Sequence, residues 1–337
     1  MNKLFELCKQ EGISGFEFEL GKYVRSLFDE HCTETESDAL GNVIGILNKG
    51  KKPKIMLEAH LDEIGLMVKN IDENGFISFV EIGGVDSTIL PSAEVYIHGK
   101  QRIYGVIGAR PPHLQEKDES EKIYKINTLF IDTGYNADEI KKIVNIGDAI
   151  TFSAKSTQLM GDKIAIKSID NRMGVYVLVE CLKRLKNQNI NAEIVALASV
   201  QEEVGCRGAR VGAYMLEPDC AIVIDVTHGI SPYTTSTEGF ELGSGVAIAV
   251  GPNLHPELTE KIIKVVEDNN IPHTIEVCAG HSGTDAWQIQ ITKKGIPCIL
   301  VSTPLRYMHT SVETVQMSDI EAVIKTICTL IEGGGVC

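Results

Sequence analysis

Long apolar runs, aromatic side chains and an excess of positive charge are missing or scarce in this sequence of 337 residues. No run approaches the ~18 apolar residues of a membrane-spanning helix, and the opening MNKLFELCKQEG lacks the apolar core of a signal peptide. We therefore expect a cytoplasmic protein. The formal net charge is −14. Because nucleic acids and anionic membranes are bound through basic surfaces, neither is an expected partner.

Paired cysteines are also missing. The sequence contains nine cysteines, an odd number, and no two of them have the CxxC spacing of a metal or redox motif. In a chain without an export signal, free thiols are the better interpretation. A metal site built from these cysteines is not expected.

The order of apolar patterns predicts an α/β protein with a β-rich insertion. Helical spacing in residues 2–30 predicts two helices interrupted at Gly12–Gly15. Residues 68–156 instead show short alternating segments separated by Gly, Pro and Asn. Strand and helix patterns alternate again after residue 156. The predicted fold is a mixed, mostly parallel sheet flanked by helices, formed by residues 1–67 and 157–337, with a small β-rich domain inserted at 68–156.

Polar side chains able to bind metal follow the strand-like runs of the predicted α/β domain, and one more precedes a helix. They are His60 and Asp62 after KIML, Glu202 and Glu203 after IVALASV, Asp225 after AIVI, His309 after CILV, and Asp170 before a helix. Ligands in open α/β sheets bind beyond the carboxyl ends of the strands. Any one of these residues alone is more often a cap or a satisfied polar group, but together they predict one site.

Two spacings in this group carry chemical information. The adjacent carboxylates of Glu202 and Glu203 follow an apolar run, so they require either solvent or a positive partner. Asp62 lies two positions from His60 and can orient its imidazole ring. Two divalent ions that share one carboxylate need about two further protein ligands each. The five residues that supply this number are His60, Asp170, Glu203, Asp225 and His309. Nitrogen and oxygen donors suit zinc, cobalt or manganese.

At these positions the sequence resembles the tetrahedral (TET) aminopeptidases, a family of dinuclear metallopeptidases that also carries glucanase and cellulase labels. The resemblance extends nearly from end to end. Its motifs are SGFE at 14–17, DALGNVIG at 38–45, AHLDEIG at 59–65, IGARPPHL at 107–114, DNRMG at 170–174, QEEVGCRGA at 201–209, DVTH at 225–228, GTDA at 283–286 and RYMHT at 306–310. The resemblance implies a peptidase domain, an inserted dimerisation domain, and dimers that assemble into a dodecamer.

The resemblance also implies a role for each site residue. His60 and Asp225 would hold one metal ion, Glu203 and His309 the other, and Asp170 would bridge them. Glu202 would be the general base, and Asp62 the carboxylate behind His60. Asp285 and Arg306 are the predicted substrate-binding residues, although Asp285 could equally be an acid at a helix N-terminus. The family usually has a second aspartate where this chain has Asn171. If that second position were the ligand, an amide would replace the bridging carboxylate.

The predicted function is removal of N-terminal residues from peptides, with two divalent metal ions per subunit. An amidase or deacylase acting on small acylated amines would use the same site. A glycoside hydrolase could also use two carboxylates but needs no metal cluster. A metal-binding scaffold without activity would not need a base beside a ligand, so Glu202 argues against it.

Overall fold

The computed structural model describes residues 1–111, 123–153, 155–232, 234 and 239–334. Part of the IGARPPHL motif, residues 112–114, lies outside them. The helices are α1 (Asn2–Lys9), α2 (Phe18–Asp29), α3 (Ala137–Ile143), α4 (Ile169–Leu185), α5 (Arg207–Leu216), α6 (Pro256–Asp268), α7 (Ala286–Gln290) and α8 (Met317–Glu332). Within the described part of the chain, no helix is both long and apolar enough to span a membrane.

Seventeen strands have defined limits in the described residues. They are β1 (Glu34–Ser37), β2 (Val43–Leu47), β3 (Lys54–His60), β4 (Gly65–Ile71), β5 (Ile77–Ile82), β6 (Glu94–His98), β7 (Arg102–Gly108), β8 (Phe130–Asp132), β9 (Ala149–Phe152), β10 (Thr157–Gln158), β11 (Lys163–Ala165), β12 (Glu193–Ser199), β13 (Cys220–His228), β14 (Val246–Val250), β15 (His273–Val277), β16 (Cys298–Leu305) and β17 (Thr314–Gln316).

The largest sheet has eight strands in the order β1-β2-β12-β3-β13-β16-β14-β15. Its centre is parallel, because β12, β3, β13 and β16 all run in the same direction. These central strands are almost fully buried, as expected for a sheet covered on both faces. Helices α1, α4 and α8 pack on one face, and α5 and α7 contribute Ala213 and Ile289 to a second apolar core on the other.

Six further strands form a closed barrel in the order β4-β5-β8-β7-β6-β9. Burial alternates along β7, because every second side chain of the strand points into the barrel. The barrel encloses an apolar core of its own, which includes Leu66, Phe79, Ile131 and Ile150. A three-stranded sheet, β10-β11-β17, lies beside the α/β part of the fold.

The predicted fold class is confirmed: a mixed α/β sheet with helices on both faces carries an inserted antiparallel barrel. The two N-terminal helices are also where the pattern predicts them. One detail differs, since Asp225 and His228 lie within β13 instead of following it. The expectation of free cysteines holds for seven thiols, those of Cys8, Cys32, Cys181, Cys206, Cys278, Cys298 and Cys328. It is wrong for Cys220, which is disulfide-bonded.

Candidate active site

The carboxyl ends of the central parallel strands bring the candidate site residues together. His60 is the last residue of β3 and pairs in register with Ser199, the last residue of β12. Glu202 and Glu203 follow β12 after two further residues, and this loop places Glu202 beside His60. Asp225 lies on β13, the neighbour of β3 on the other side. The parallel arrangement therefore explains why residues far apart in sequence share one edge of the sheet.

The backbone at this edge adopts left-handed conformations that non-glycine residues rarely take. Ser168 (φ 59°) precedes α4, Gln201 (φ 59°) precedes Glu202, and His309 itself has φ 60°. Such conformations cost about 1–3 kcal/mol each and concentrate at functional sites. Three of them around one cluster indicate that these turns are held in place for the side chains they position.

The carboxylate of Asp170 lies between two imidazole rings. Its Oδ1 is 3.2 Å from His60 Nε2, and its Oδ2 is 3.4 Å from His309 Nε2. Asn171, in contrast, points away from this cluster: its Nδ2 donates to the Ile224 carbonyl (2.8 Å) and its Oδ1 accepts from the Gly174 amide (3.0 Å). The side chain at position 171 therefore supports the start of α4, and the carboxylate facing the cluster is Asp170.

Two groups of donor atoms meet at Asp170. In one, atoms of His60, Asp170 and Asp225 lie within 4.8 Å of one another. In the other, atoms of Asp170, Glu203 and His309 meet the same limit, with His309 Nε2 3.2 Å from Glu203 Oε1. Ligands of a tetrahedral zinc ion, at about 2.0–2.1 Å from the metal, lie ~3.3 Å from each other. The spacing and the nitrogen and oxygen donors thus fit two divalent cations that share Asp170.

The electrostatics of the cluster also favour bound cations. Burial raises the pKa of Asp225 well above its usual value, and the charges of Asp170 and Glu202 add to this effect. Burial, followed by the charge of Asp170, likewise raises the pKa of Glu203. Burial opposes a charged imidazole at His309, yet Asp170 and Glu203 raise its pKa to about 11. Negative charge is therefore in excess here, and a positive charge at the cluster is strongly stabilised.

Asp62 connects His60 to the loop that carries the two glutamates. This fully buried carboxylate lies 3.5 Å from His60 Nδ1. It accepts hydrogen bonds from the amides of Glu202 (2.9 Å) and Glu203 (3.1 Å), and from the hydroxyl of Ser14 (2.6 Å). A group behind a ligand histidine fixes the direction of its ring. Asp62 orients both the histidine and the loop.

Glu313 is a supporting residue that the motif analysis missed. Its Oε2 accepts from the Asp170 amide (3.0 Å), and its Oε1 accepts from the His309 amide (2.9 Å). It thereby joins two candidate ligands that are distant in sequence. The segment SVETV offers no signal of this, because a single acid between apolar residues is typical of any exposed strand.

Glu202 lies beside the two cation positions. Its Oε2 is 4.0 Å from His60 Nε2, and the Cys206 thiol donates to its Oε1 at 3.4 Å. Burial raises the pKa of Glu202 to about 8; the charge of His60 opposes this shift, and those of Asp285 and Glu203 add to it. The carboxylate faces a cavity of about 480 Å³, which the candidate ligands also line. It is thus a titratable carboxylate placed at the cavity wall.

The two residues predicted to bind substrate are not among the described residues that line this cavity. Asp285 is 1% exposed, precedes α7 and accepts a hydrogen bond from Ser199 Oγ (3.0 Å). The Arg306 side chain donates from Nε to the Ile230 carbonyl. Their roles in substrate binding stay predictions.

The outer wall of the cavity contains His228, Glu276, His281 and Trp287. His228 and His281 therefore both face the cavity. The His281 ring stacks on Trp287 with centroids 4.2 Å apart. Glu276 was missed, since its place on β15 follows only from the order of strands in the sheet.

Comparison with known proteins gives one consistent result. Residues 41–326 match the model of the peptidase M42 family, the glutamyl aminopeptidases. The lysyl aminopeptidase of Pyrococcus furiosus is 35% identical over 333 residues, which cover 97% of this chain and 95% of the relative.

Solved structures agree with the sequence relatives. A TET aminopeptidase from a marine sediment Thaumarchaeota archaeon superposes with a TM-score of 0.93 at 30% identity, covering 98% of this chain and 96% of the other. The Pyrococcus horikoshii TET1 peptidase, described as able to assemble into a tetrahedron or a large octahedral shell, superposes with a TM-score of 0.87 at 30% identity and 98% coverage of both chains.

Proposed function

We infer the chemistry of this site from one premise: the chain belongs to the M42 glutamyl aminopeptidase family. This membership confirms the prediction of a metal-dependent aminopeptidase, a hydrolase that acts at peptide N-termini. The observation that carries the mechanism is the position of Asp170 between the imidazoles of His60 and His309, with the carboxylate of Glu202 beside them.

We propose that the site binds two divalent ions per subunit. His60 and Asp225 would hold one, Glu203 and His309 the other, and Asp170 would contact both. Asp62 and the Gly84 carbonyl, 3.0 Å from His309 Nδ1, would keep the two imidazole rings in place. The absence of thiolates from these two groups is compatible with zinc, cobalt or manganese.

Glu202 is the proposed general base. When bound, the metal ions would lower the pKa of a water molecule and polarise the scissile carbonyl. The Glu202 carboxylate would accept the proton of the attacking water and deliver it to the nitrogen of the leaving peptide. The position of Glu202 supports this role, because its carboxylate lines the cavity beside the proposed ligand His60.

Action at the N-terminus would follow if the free α-amine of the substrate binds one of the metal ions or a carboxylate that no metal ion holds, such as Glu202 at the cavity wall. An internal peptide bond offers no free amine for this contact.

We further propose a cytoplasmic enzyme that assembles from dimers into a dodecamer, with residues 68–156 as the dimerisation domain. The separate apolar core of the barrel supports its treatment as a domain. The assembly described for the P. horikoshii relative supports a large oligomer.

Hydrolysis of aminoacyl-p-nitroanilides, with and without chelator, tests the mechanism. Activity should disappear with chelator and return on addition of zinc, cobalt or manganese. Glu202→Gln, which retains the size of the side chain but cannot accept the proton, should lower kcat by about 1,000-fold or more. A folded, metal-loaded Glu202→Gln enzyme with near wild-type kcat would show that another group is the base.

A further inference from the structure

One carboxylate in the cavity has no part in the proposed metal site. Glu276 lies on β15, the edge strand of the large sheet, and lines the cavity beyond Asp225. Its Oε1 accepts a hydrogen bond from Thr227 Oγ1 at 2.6 Å. This contact anchors the carboxylate on β13, the strand that also carries Asp225.

The separation between the proposed metal site and the Glu276 carboxylate follows from the positions of Asp225 and Thr227 on β13. Asp225 and Thr227 are two residues apart on β13, so their side chains point to the same face, ~6.8 Å from each other along the strand. Glu276 sits next to Thr227. A carboxylate at this separation is within reach of the end of a long side chain on a residue whose peptide bond lies at the metal site.

Glu276 also lacks a positive partner in the described part of the chain. It forms no ion pair there with lysine or arginine, and no lysine or arginine is among the described residues that line the cavity. Burial raises its pKa, and the Thr227 hydrogen bond and the charge of His228 only oppose this effect. A half-buried carboxylate without a cation is a ready partner for a positively charged ligand group.

We propose that Glu276 selects substrates whose N-terminal residue is lysine or arginine, by pairing with the cationic end of that side chain. The inference rests on the proposed function, because it assigns the substrate class of the same site. An acidic first residue would meet Glu276 as a like charge and would be disfavoured.

The two histidines of the cavity wall, His228 and His281, raise an opposite possibility, because an imidazole N–H can also donate to a glutamate or aspartate side chain. The His281 ring, however, is stacked on Trp287. The Glu276 carboxylate is held by Thr227 on the strand that carries Asp225, so its place relative to the metal site is fixed, which favours the basic class of substrate.

The test compares lysyl-, arginyl-, leucyl- and glutamyl-p-nitroanilide at pH 8 with wild-type enzyme and Glu276→Gln. Glutamine retains the acceptor for Thr227 and removes only the charge. Wild-type kcat/KM should be highest for the two basic substrates and lowest for the glutamyl substrate. In Glu276→Gln the lysyl-to-leucyl ratio of kcat/KM should fall about tenfold, mainly through KM.

Two further variants make the result specific. Glu260→Gln removes one negative charge from the exposed face of α6, outside the cavity, and should leave the lysyl-to-leucyl ratio unchanged. Glu276→Lys should raise the glutamyl-to-lysyl ratio above that of the wild type. Thermal unfolding of each variant shows that it is folded.

The outcomes separate this inference from the proposed function. Activity with a lysyl-to-leucyl ratio that is equal in wild type and Glu276→Gln would overturn the role of Glu276 and leave the aminopeptidase mechanism standing. If no anilide is cleaved, the proposed mechanism fails, and calorimetry with the dipeptides Lys-Ala and Leu-Ala decides the inference. Equal affinity for both dipeptides would overturn it, and tighter Lys-Ala binding that Glu276→Gln abolishes would support it.

Discussion

Two ionic clusters meet at the end of β3 and the start of α4, and they handle charge in opposite ways. The first, here called the Glu63 cluster, contains Glu63, Lys167, Ser168 and Arg172. The second, the Asp170 cluster, contains His60, Asp170, Glu203, Asp225 and His309. Each takes one residue from the end of β3 or just after it, and at least one from the start of α4.

The Glu63 cluster supplies its own cations, because Lys167 and Arg172 both face the carboxylate of Glu63. Lys167 and Ser168 donate to one oxygen of Glu63, and the other lies 3.5 Å from the Arg172 guanidinium. Burial alone would raise the pKa of Glu63, but the charges of Lys167 and Arg172 hold it below its usual value. Arg172 also donates to the carbonyls of Leu7 and Gly12. This cluster therefore ties the N-terminal segment to α4.

The Asp170 cluster contains no lysine or arginine, and the pKa values of Glu203 and Asp225 are raised there instead. Both clusters are largely buried, although Glu203 and His309 are partly exposed, so burial alone does not distinguish them. The balance of charges distinguishes the two clusters. Buried carboxylates that are paired with lysine or arginine are structural, whereas buried carboxylates without such partners are suited to binding an external cation.

The largest expected effect comes from removing the carboxylate that the two cation positions share. Asp170→Asn should lower kcat/KM by about 10,000-fold, equivalent to ~5.5 kcal/mol, because neither position would retain its full set of ligands. In the wild type, zinc, cobalt or manganese should raise the melting temperature, because a ligand at 100 times its Kd adds ~2.7 kcal/mol to the free energy of unfolding. This increase should be smaller in Asp170→Asn.

Asp268→Asn, at an exposed position near the end of α6, is the matched control and should behave as the wild type. If metal ions raise the melting temperature of Asp170→Asn as much as that of the wild type, the Asp170 cluster is not the metal site. The proposed difference between the two clusters would then be wrong.

A smaller effect, and one on stability, is expected in the Glu63 cluster. Lys167→Met leaves Glu63 buried with only Arg172 as a cation and should lower the free energy of unfolding by about 3 kcal/mol. Urea unfolding in the presence of chelator measures it.

Lys22→Met removes a lysine from an exposed pair with Glu19, and the expected loss is below ~1 kcal/mol. Equal losses in the two lysine variants would contradict the structural role assigned to the Glu63 cluster.

The smallest expected effect is at Glu17, a buried carboxylate that accepts a hydrogen bond from the Gln201 amide (3.0 Å) and has no ion pair with a lysine or arginine among the described residues. Burial, and then the charge of Asp62, raises its pKa from 4.5 to about 7. The folded protein therefore binds a proton here that the unfolded chain has released. The resulting stabilisation is complete below about pH 4.5 and is lost as the pH rises through 7.

Glu17→Gln should remove this dependence. The variant should gain about 2 kcal/mol relative to the wild type between pH 5 and pH 8, measured by urea unfolding of metal-free protein. Glu19→Gln, exposed in the same helix, should show no such change. If the difference in unfolding free energy between the wild type and Glu17→Gln is the same at pH 5 and pH 8, the proton is not bound by Glu17.

The sequence predicted the helices and strands better than the contacts between them. Buried parallel strands such as β12 have continuous apolar runs, and amphipathic helices such as α2 have apolar residues at helical spacing, so both are visible locally. The limits of β13 were not visible locally, because the polar residues Asp225 and Thr227 interrupt its apolar pattern. Both residues line the cavity, which explains why polar side chains occur within this strand. Glu276 and Glu313 could not be found, since their significance depends on which strands become neighbours.

The residue types and their order along the chain were enough to determine the fold class, the family and the candidate ligands. Each ligand-bearing segment is short and has a local signature. Tertiary structure alone decided which side chain of Asp170-Asn171 faces the cluster, why Glu63 belongs to a separate cluster with its own cations, and that Glu276 rather than Asp285 lines the cavity. The physical reason is that charge balance and burial depend on neighbours in space, and parallel strands bring together neighbours that the sequence keeps far apart.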